Sequence, residues 1–205
     1  MVNETLLRTS QIRHTVSRDG GNWDGDYGVM IKGNALRHQM VFAQQREIYD
    51  YWRSKCRGST LPSRADIEPH DIPSHLKFIT LTQPVRGICP TTGKSGSTRF
   101  LFRLAGTGFY RFYNDEIQGR HVDELPIGCR ADYWHRVLSR VVAEGRPYHG
   151  VTKPQTPVGS HLAQFYLRLP LSEDGVRIDT ILGYDHIVPL EGIVQPVAKS
   201  RKVYA

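Results

Sequence analysis

The chain is poor in cysteine, with only Cys56, Cys89 and Cys129 among 205 residues. An odd number at wide spacing fits neither a disulfide framework nor a zinc site, and points to a reducing compartment, the cytoplasm by default. Long apolar runs are also missing. No stretch approaches the ~20 residues of a membrane-spanning helix, and Met1 to Gly28 lacks the apolar segment of a secretory signal. The apolar fraction is low, 39%, so part of the chain is expected to lie outside a core. Catalytic signatures are absent as well. There is no Gly-Xaa-Ser-Xaa-Gly elbow, no P-loop, no complete Gly-Xaa-Gly-Xaa-Xaa-Gly and no His-Glu-Xaa-Xaa-His. The expectation is a protein that is not an enzyme.

Charge is present in excess of one sign. Lys plus Arg number 27 against 20 for Asp plus Glu, a net charge of +7, which favours anionic partners. The basic residues are scattered, with no basic helix and no alternation of basic and aromatic residues. Solvated arginines explain them, and a nucleic-acid-associated regulator stays as an alternative.

The organising stretch is Phe100 to Thr107. Phe100, Phe102 and Leu104 alternate with Leu101, Arg103 and Ala105, the period of a strand. Gly106 ends it, and Thr107 is placed to cap the next short helix. Residues 1–33 read as a flexible Gly- and Asp-rich tail, and 34–60 as an N-terminal helical segment. Its helix, Asn34 to Arg57, carries Val41, Ile48 and Trp52 on a narrow stripe. That helix is a candidate surface for docking or for a homodimer through residues 35–57. Leu61 to Pro73 is a proline-rich connector in which Asp71 is expected to cap a short helix at Ile72 to Lys77.

Strands are expected at Phe78 to Val85 and Phe100 to Ala105, joined across a loop from Arg86 to Thr98. Short helices come next, at Thr107 to Asn114 and His121 to Leu125. The clearest helix is Cys129 to Glu144, with Trp134, Val137, Leu138, Val141 and Val142 on one stripe. Three more strands are Tyr148 to Lys153, Leu162 to Leu171 and Val176 to Tyr184, the last two joined by the turn Ser172 to Gly175. Phe165, Leu167, Leu169 and Leu171 share one face, as do Val176, Ile178, Leu182 and Tyr184. Residues 189–205 read as a weakly basic tail. Two strands, then helices, then three strands predict an α+β domain over 61–188: one five-stranded antiparallel sheet with helices on one face, preceded by the N-terminal helix.

Several segments carry a resemblance: Tyr51-Trp-Arg53, Leu61-Pro-Ser-Arg-Ala-Asp-Ile-Glu-Pro69, Phe102-Arg-Leu-Ala-Gly-Thr107, Gly119-Arg120, Glu144-Gly-Arg-Pro147 and Leu169-Pro-Leu-Ser-Glu-Asp-Gly175. In this order, over roughly Tyr49 to His186, the chain resembles a PAS-like family common as small stand-alone proteins in alphaproteobacteria. The chain departs from the family pattern in its long Arg86 to Thr98 loop and at Gln118. The resemblance implies a sensory or interaction domain that binds a small molecule or a signalling protein under the helices and acts by protein contact. The implied pocket candidates are Phe102, Leu104, Phe109, Phe112, Tyr113, Trp134, Val137, Leu138, Phe165, Leu167, Ile178 and Leu182. A filled apolar core would use the same residues.

Other side chains could carry chemistry. The resemblance allows a haem held by His135, which lies on the flank of its helix's apolar stripe, and a flavin adduct at Cys129. His121, Asp123 and Glu124 offer metal-competent or acid–base groups within four residues, the basis of an alternative reading as a small-molecule enzyme. Trp52, Arg64 and Asp66 are the interaction candidates, with loop bracing the competing role for the last two.

Overall fold

The computed structural model describes residues 34–88, 93, 95–128, 130–156 and 159–192. The expected tail at 1–33, residues 193–205 and Cys129 lie outside them. The strands are β1 (Ile79–Ile88), β2 (Ser95–Ala105), β3 (Tyr148–Thr152), β4 (Leu162–Leu171) and β5 (Thr180–Pro189). They form one antiparallel sheet in the order β2-β1-β5-β4-β3. The helices are α1 (Asn34–Gln39), α2 (Ala43–Lys55), α3 (Gly108–Tyr113) and α4 (Arg130–Glu144). The expected five-stranded α+β sheet is present. No helix among the described residues is long and apolar enough to cross a membrane.

Both faces of the sheet are covered. On the inner face, α3, α4 and the segment between them pack Phe109, Phe112, Trp134, Val137 and Leu138 against Phe100, Tyr148, Tyr166 and Ile181. On the outer face lie α1, α2 and the proline-rich connector, with Leu36, Met40, Ile48, Trp52 and Ile67 against Leu81, Leu167, Leu169, Leu171 and Leu182. The apolar stripe of α2 is therefore spent on the chain's own sheet. The expected single helix from Asn34 to Arg57 is two. Phe42 is extended (φ −98°, ψ 142°), and its ring meets Phe165 edge-on at 4.9 Å and His186 at 4.1 Å. The break lets Leu36 and Met40 reach the same sheet face as Ile48 and Trp52, and it leaves Val41 exposed.

Two strand boundaries differ from expectation. Arg86, Gly87 and Ile88 pair with Thr98, Ser97 and Ser95, so most of the expected loop is a two-stranded ribbon. Backbone pairing there needs no apolar pattern, and so left none to read. β5 begins at Thr180, not Val176. Asp174 Oδ1 accepts the Val176 and Arg177 amides at 2.9 and 2.7 Å, which holds the chain in a longer turn and leaves Val176 exposed.

Gly106 does more than end β2. A Cβ there would fall within 3.0 Å of the Leu76 and Lys77 carbonyl oxygens, so only glycine admits the 3-10 turn Pro73–Phe78 so close to the sheet. Thr107 precedes α3 without a side-chain cap. Asp71 caps nothing and pairs instead with Lys55 at 3.0 Å.

Trp52 holds the outer layer. It is 3% exposed, and its indole N–H donates to Pro170 O at 3.0 Å. Trp52→Ala is expected to destabilise the fold by about 3–5 kcal/mol through lost burial and an orphaned carbonyl. Urea unfolding measures this, and an unchanged midpoint would remove α2 from the fold's energetics.

Candidate functional site

The side chains of β4 sort by parity. Phe165, Leu167, Leu169 and Leu171 take the outer face, and Gln164, Tyr166 and Arg168 take the inner one. On β5, Leu182 and Tyr184 face outward, while Ile181, Gly183 and Asp185 face inward. The inner face of the central strands thus carries a buried polar seam. Arg168 is 6% exposed and Asp185 is fully buried. Arg168 Nη2 donates to Asp185 Oδ1 at 3.0 Å, and Gln164 Nε2 donates to the same oxygen at 2.8 Å. Arg168 Nη1 donates to the carbonyls of Leu167 at 2.9 Å and Tyr184 at 3.3 Å. The guanidinium lies over the Trp134 ring at 4.8 Å, a contact an arginine plane makes well.

Over this seam lies a roof of Phe109, Ile117, Val122, Leu125, Trp134 and Leu138, with Thr80, Thr82, Phe102 and Tyr113 beside the seam. The cavity between them is about 10 Å³, room for roughly one water. Burial pushes the Tyr113 phenol's pKa well up, with the Asp185 charge adding to it. Gly183 makes the floor. A Cβ there would collide with the Thr80 hydroxyl and sit 3.2 Å from Arg168 Nη1.

The structure divides the expected pocket residues. Phe102, Phe109, Tyr113, Trp134 and Leu138 line the cavity, and Phe112, Val137 and Ile178 belong to the same core. Leu104, Leu167 and Leu182 lie with the opposite core, and Phe165 meets Phe42. For Leu104 the cause is a β-bulge. The register shifts between Leu81 and Thr82, pairing Leu81 with Leu104 but Thr82 with Phe102. Arg103 is the extra residue, so Phe102 and Leu104 point to opposite faces. For Leu167 and Leu182 the alternation holds, but the face they share is the outer one, under α2. Sequence reasoning missed Thr80, Thr82, Arg168 and Asp185. Their only signal is a polar position recurring within apolar strands.

His135 is exposed on α4, and its Nε2 lies 2.8 Å from Thr98 O. It does not line the cavity, so the haem route through it is not supported by position. His121, Asp123 and Glu124 do come together, with ligand atoms within 4.8 Å of one another. Arg99 lies among them and donates to Asp123 at 2.7 and 2.9 Å and to Glu124 at 2.8 Å. Glu124 also accepts the His121 amide at 2.9 Å. The guanidinium takes the place a cation would need, and the cluster ties β2 to the chain before α4.

Arg64 and Asp66 brace the connector. Asp66 Oδ2 accepts the Ser63 amide and hydroxyl at 2.8 and 2.9 Å, which holds its pKa below the ordinary range. The Arg64 amide donates to Glu173 at 3.0 Å, and the Ser172 amide to Pro62 O at 2.9 Å. Two of the resembling motifs therefore hold each other. Basic side chains elsewhere pair with carboxylates of the chain, as in Arg37–Asp50, Arg140–Glu144 and Arg177–Asp174.

A five-stranded antiparallel sheet with short helices and one long helix over an inner face defines a PAS-type α+β domain. The family model described as PAS domain matches residues 40–185, and the chain belongs to that family. Solved structures with similar folds include a light-oxygen-voltage domain studied with a flavin analogue (13% identity, 57% of this chain and 80% of that one, TM-score 0.40). A second is an RNA-binding light-oxygen-voltage receptor (14%, 62% and 36%, 0.39). A third is a fungal light-oxygen-voltage photoreceptor domain (17%, 54% and 74%, 0.33). No curated protein matches the chain.

The Arg99 cluster predicts a response to acid. Glu124 is held down to about 2, first by the His121 amide and further by Arg99 and His121. A depressed carboxylate stabilises the folded state fully above its ordinary range, and that contribution is lost as pH falls toward about 2. Unfolding measured from pH 6 to pH 2 is expected to show this loss, and Glu124→Gln is expected to be less stable at pH 6 with a flatter profile. An equally steep profile in the variant would reject the assignment.

Proposed function

We propose that this protein is a PAS-type sensory domain that binds a small molecule beneath α3 and α4 and passes the signal on by contact with a signalling protein. One observation carries the reading: the contrast between the two sheet faces. The outer face is filled with leucine. The inner face, equally buried, carries Arg168, Asp185 and Gln164. Burying such groups costs several kcal/mol before their mutual bonds offset it, and a core built only for stability would be better served by leucine on both sides. Polar groups under an apolar roof are what a ligand site requires.

Apart from α4, the roof is made of short pieces. α3 spans six residues and ends at Asn114 in the left-handed region, φ 53°. Chain built this way can move aside at lower cost than a long helix. The contact arm is the α1–α2 layer, which rests on the strands that carry the seam. Gln45 Nε2 reaches Tyr166 O at 3.5 Å, and the Trp52 indole reaches Pro170 O, so strain in β4 is felt in α2.

Native mass spectrometry and an absorption spectrum of the purified protein test the reading. The expected result is a retained organic molecule, or a rise in melting temperature of several degrees with a member of a small-molecule panel. A bare apo mass with no thermal shift across the panel would overturn it and leave a protein-contact module without a ligand.

A further inference from the structure

Two residues that line the cavity each hold a buried polar atom that receives no hydrogen bond. Asp185 Oδ2 lies 3.0 Å from Arg168 Nη2 but outside hydrogen-bonding alignment, and it receives no hydrogen bond from any described residue. Thr80 Oγ1 is in the same state. Asp185 is 0% and Thr80 2% exposed, and both line the cavity. Buried acceptors left so are uncommon and call for a partner not supplied by the fold. One unanswered group accepts; the other, a hydroxyl, both accepts and donates.

The charge of the site narrows the partner. The Asp185 carboxylate is balanced by Arg168, and both Nη groups of that arginine are already committed to the chain. An anionic head group would meet the open face of a carboxylate with those donors engaged elsewhere. A cation would add a third charge to a neutral pair in a buried site, which burial disfavours. A neutral hydroxyl or amide answers both atoms, donating to Asp185 Oδ2 and accepting from Thr80. The body behind it would lie among Phe102, Phe109, Leu125 and Leu138, which suits an apolar or aromatic frame.

We propose that Asp185 and Thr80 form the recognition point of the cavity, selecting a small neutral molecule with an apolar body and one hydroxyl or amide donor. This rests on the small-molecule reading above and goes beyond it in naming the ligand class and the selecting atoms. The cavity as it stands has room for about one water, so the body of the ligand enters only as the α3 side of the roof gives way.

Phenol, toluene and benzoate form a matched set of probes with a donor, without one, and with an anion. Each is titrated at neutral pH into the full-length, 15N-labelled protein, following the amides of Thr80, Gly183 and Asp185. Phenol is expected to shift them saturably, with a Kd about tenfold below that of toluene, the worth of one hydrogen bond. Benzoate is expected to produce no saturable shift. Thr80→Val should bring phenol toward toluene while leaving toluene unchanged, and Thr80→Ser should keep the phenol preference. Equal binding of phenol and toluene, or preferred binding of benzoate, overturns the ligand class while leaving a small-molecule site standing. No shift with any probe removes the recognition point; the retained-ligand measurement separately decides whether the small-molecule reading falls with it. The ranking of probes on the parent protein decides the question even if a variant does not fold.

Discussion

An ion pair sealed between two central strands governs this molecule. Arg168 on β4 and Asp185 on β5 stand on the inner face with almost no exposure. Removing either partner from such a pair leaves a bare buried charge, typically worth about 3–5 kcal/mol. The surroundings hold both partners in place while leaving one carboxylate oxygen without a hydrogen bond. Gln164 supplies a second donor to the carboxylate, two backbone carbonyls hold the guanidinium, and Trp134 lies against its plane. Gly183 is needed because a side chain there would strike Thr80 and crowd the arginine. The position of α4 is thereby tied to the pair, since Trp134 is both its inward anchor and the cover over the charge.

The second organising fact is that helices pack on both faces of the sheet. α2 closes the outer side with an apolar stripe that a free helix would expose to solvent or offer to another chain. Its contacts end on β4 backbone atoms, opposite the seam. A change in the cavity and a change in the docking of α2 are therefore separated by a single strand. Packed groups and hydrogen bonds thus join the buried seam to α2 through a single strand.

The motifs that resemble the family acquire physical meanings in the structure. The connector Leu61 to Pro69 and the turn Ser172 to Gly175 bond each other through Pro62, Ser172, Arg64 and Glu173. Gly106 admits a neighbouring turn at a distance no side chain allows. Much of what is recognisable in the sequence thus reflects close approach and loop bracing. The cavity is lined largely by other residues, although Phe102 belongs to both sets.

The sequence alone determined the number and order of the strands, the long helix before Gly145, and which residues of β4 share a face. These rest on local periodicity and on glycine and proline, whose effects act within a few residues. The family resemblance grouped Phe102, Phe109, Tyr113, Trp134 and Leu138 as candidates, but in one set with Leu104, Phe165, Leu167 and Leu182 of the opposite face. Only the tertiary structure decided which face of the sheet met which helix. Two apolar helices compete for two faces, and alternation is symmetric with respect to that choice. The bulge at Arg103, which turns Leu104 away from Phe102, is a property of pairing with β1 and has no mark in its own strand. The pairing of Arg168 with Asp185 spans two strands and depends on their register. As isolated letters they read as surface charges, and burial beneath Trp134 is what makes them a sealed pair.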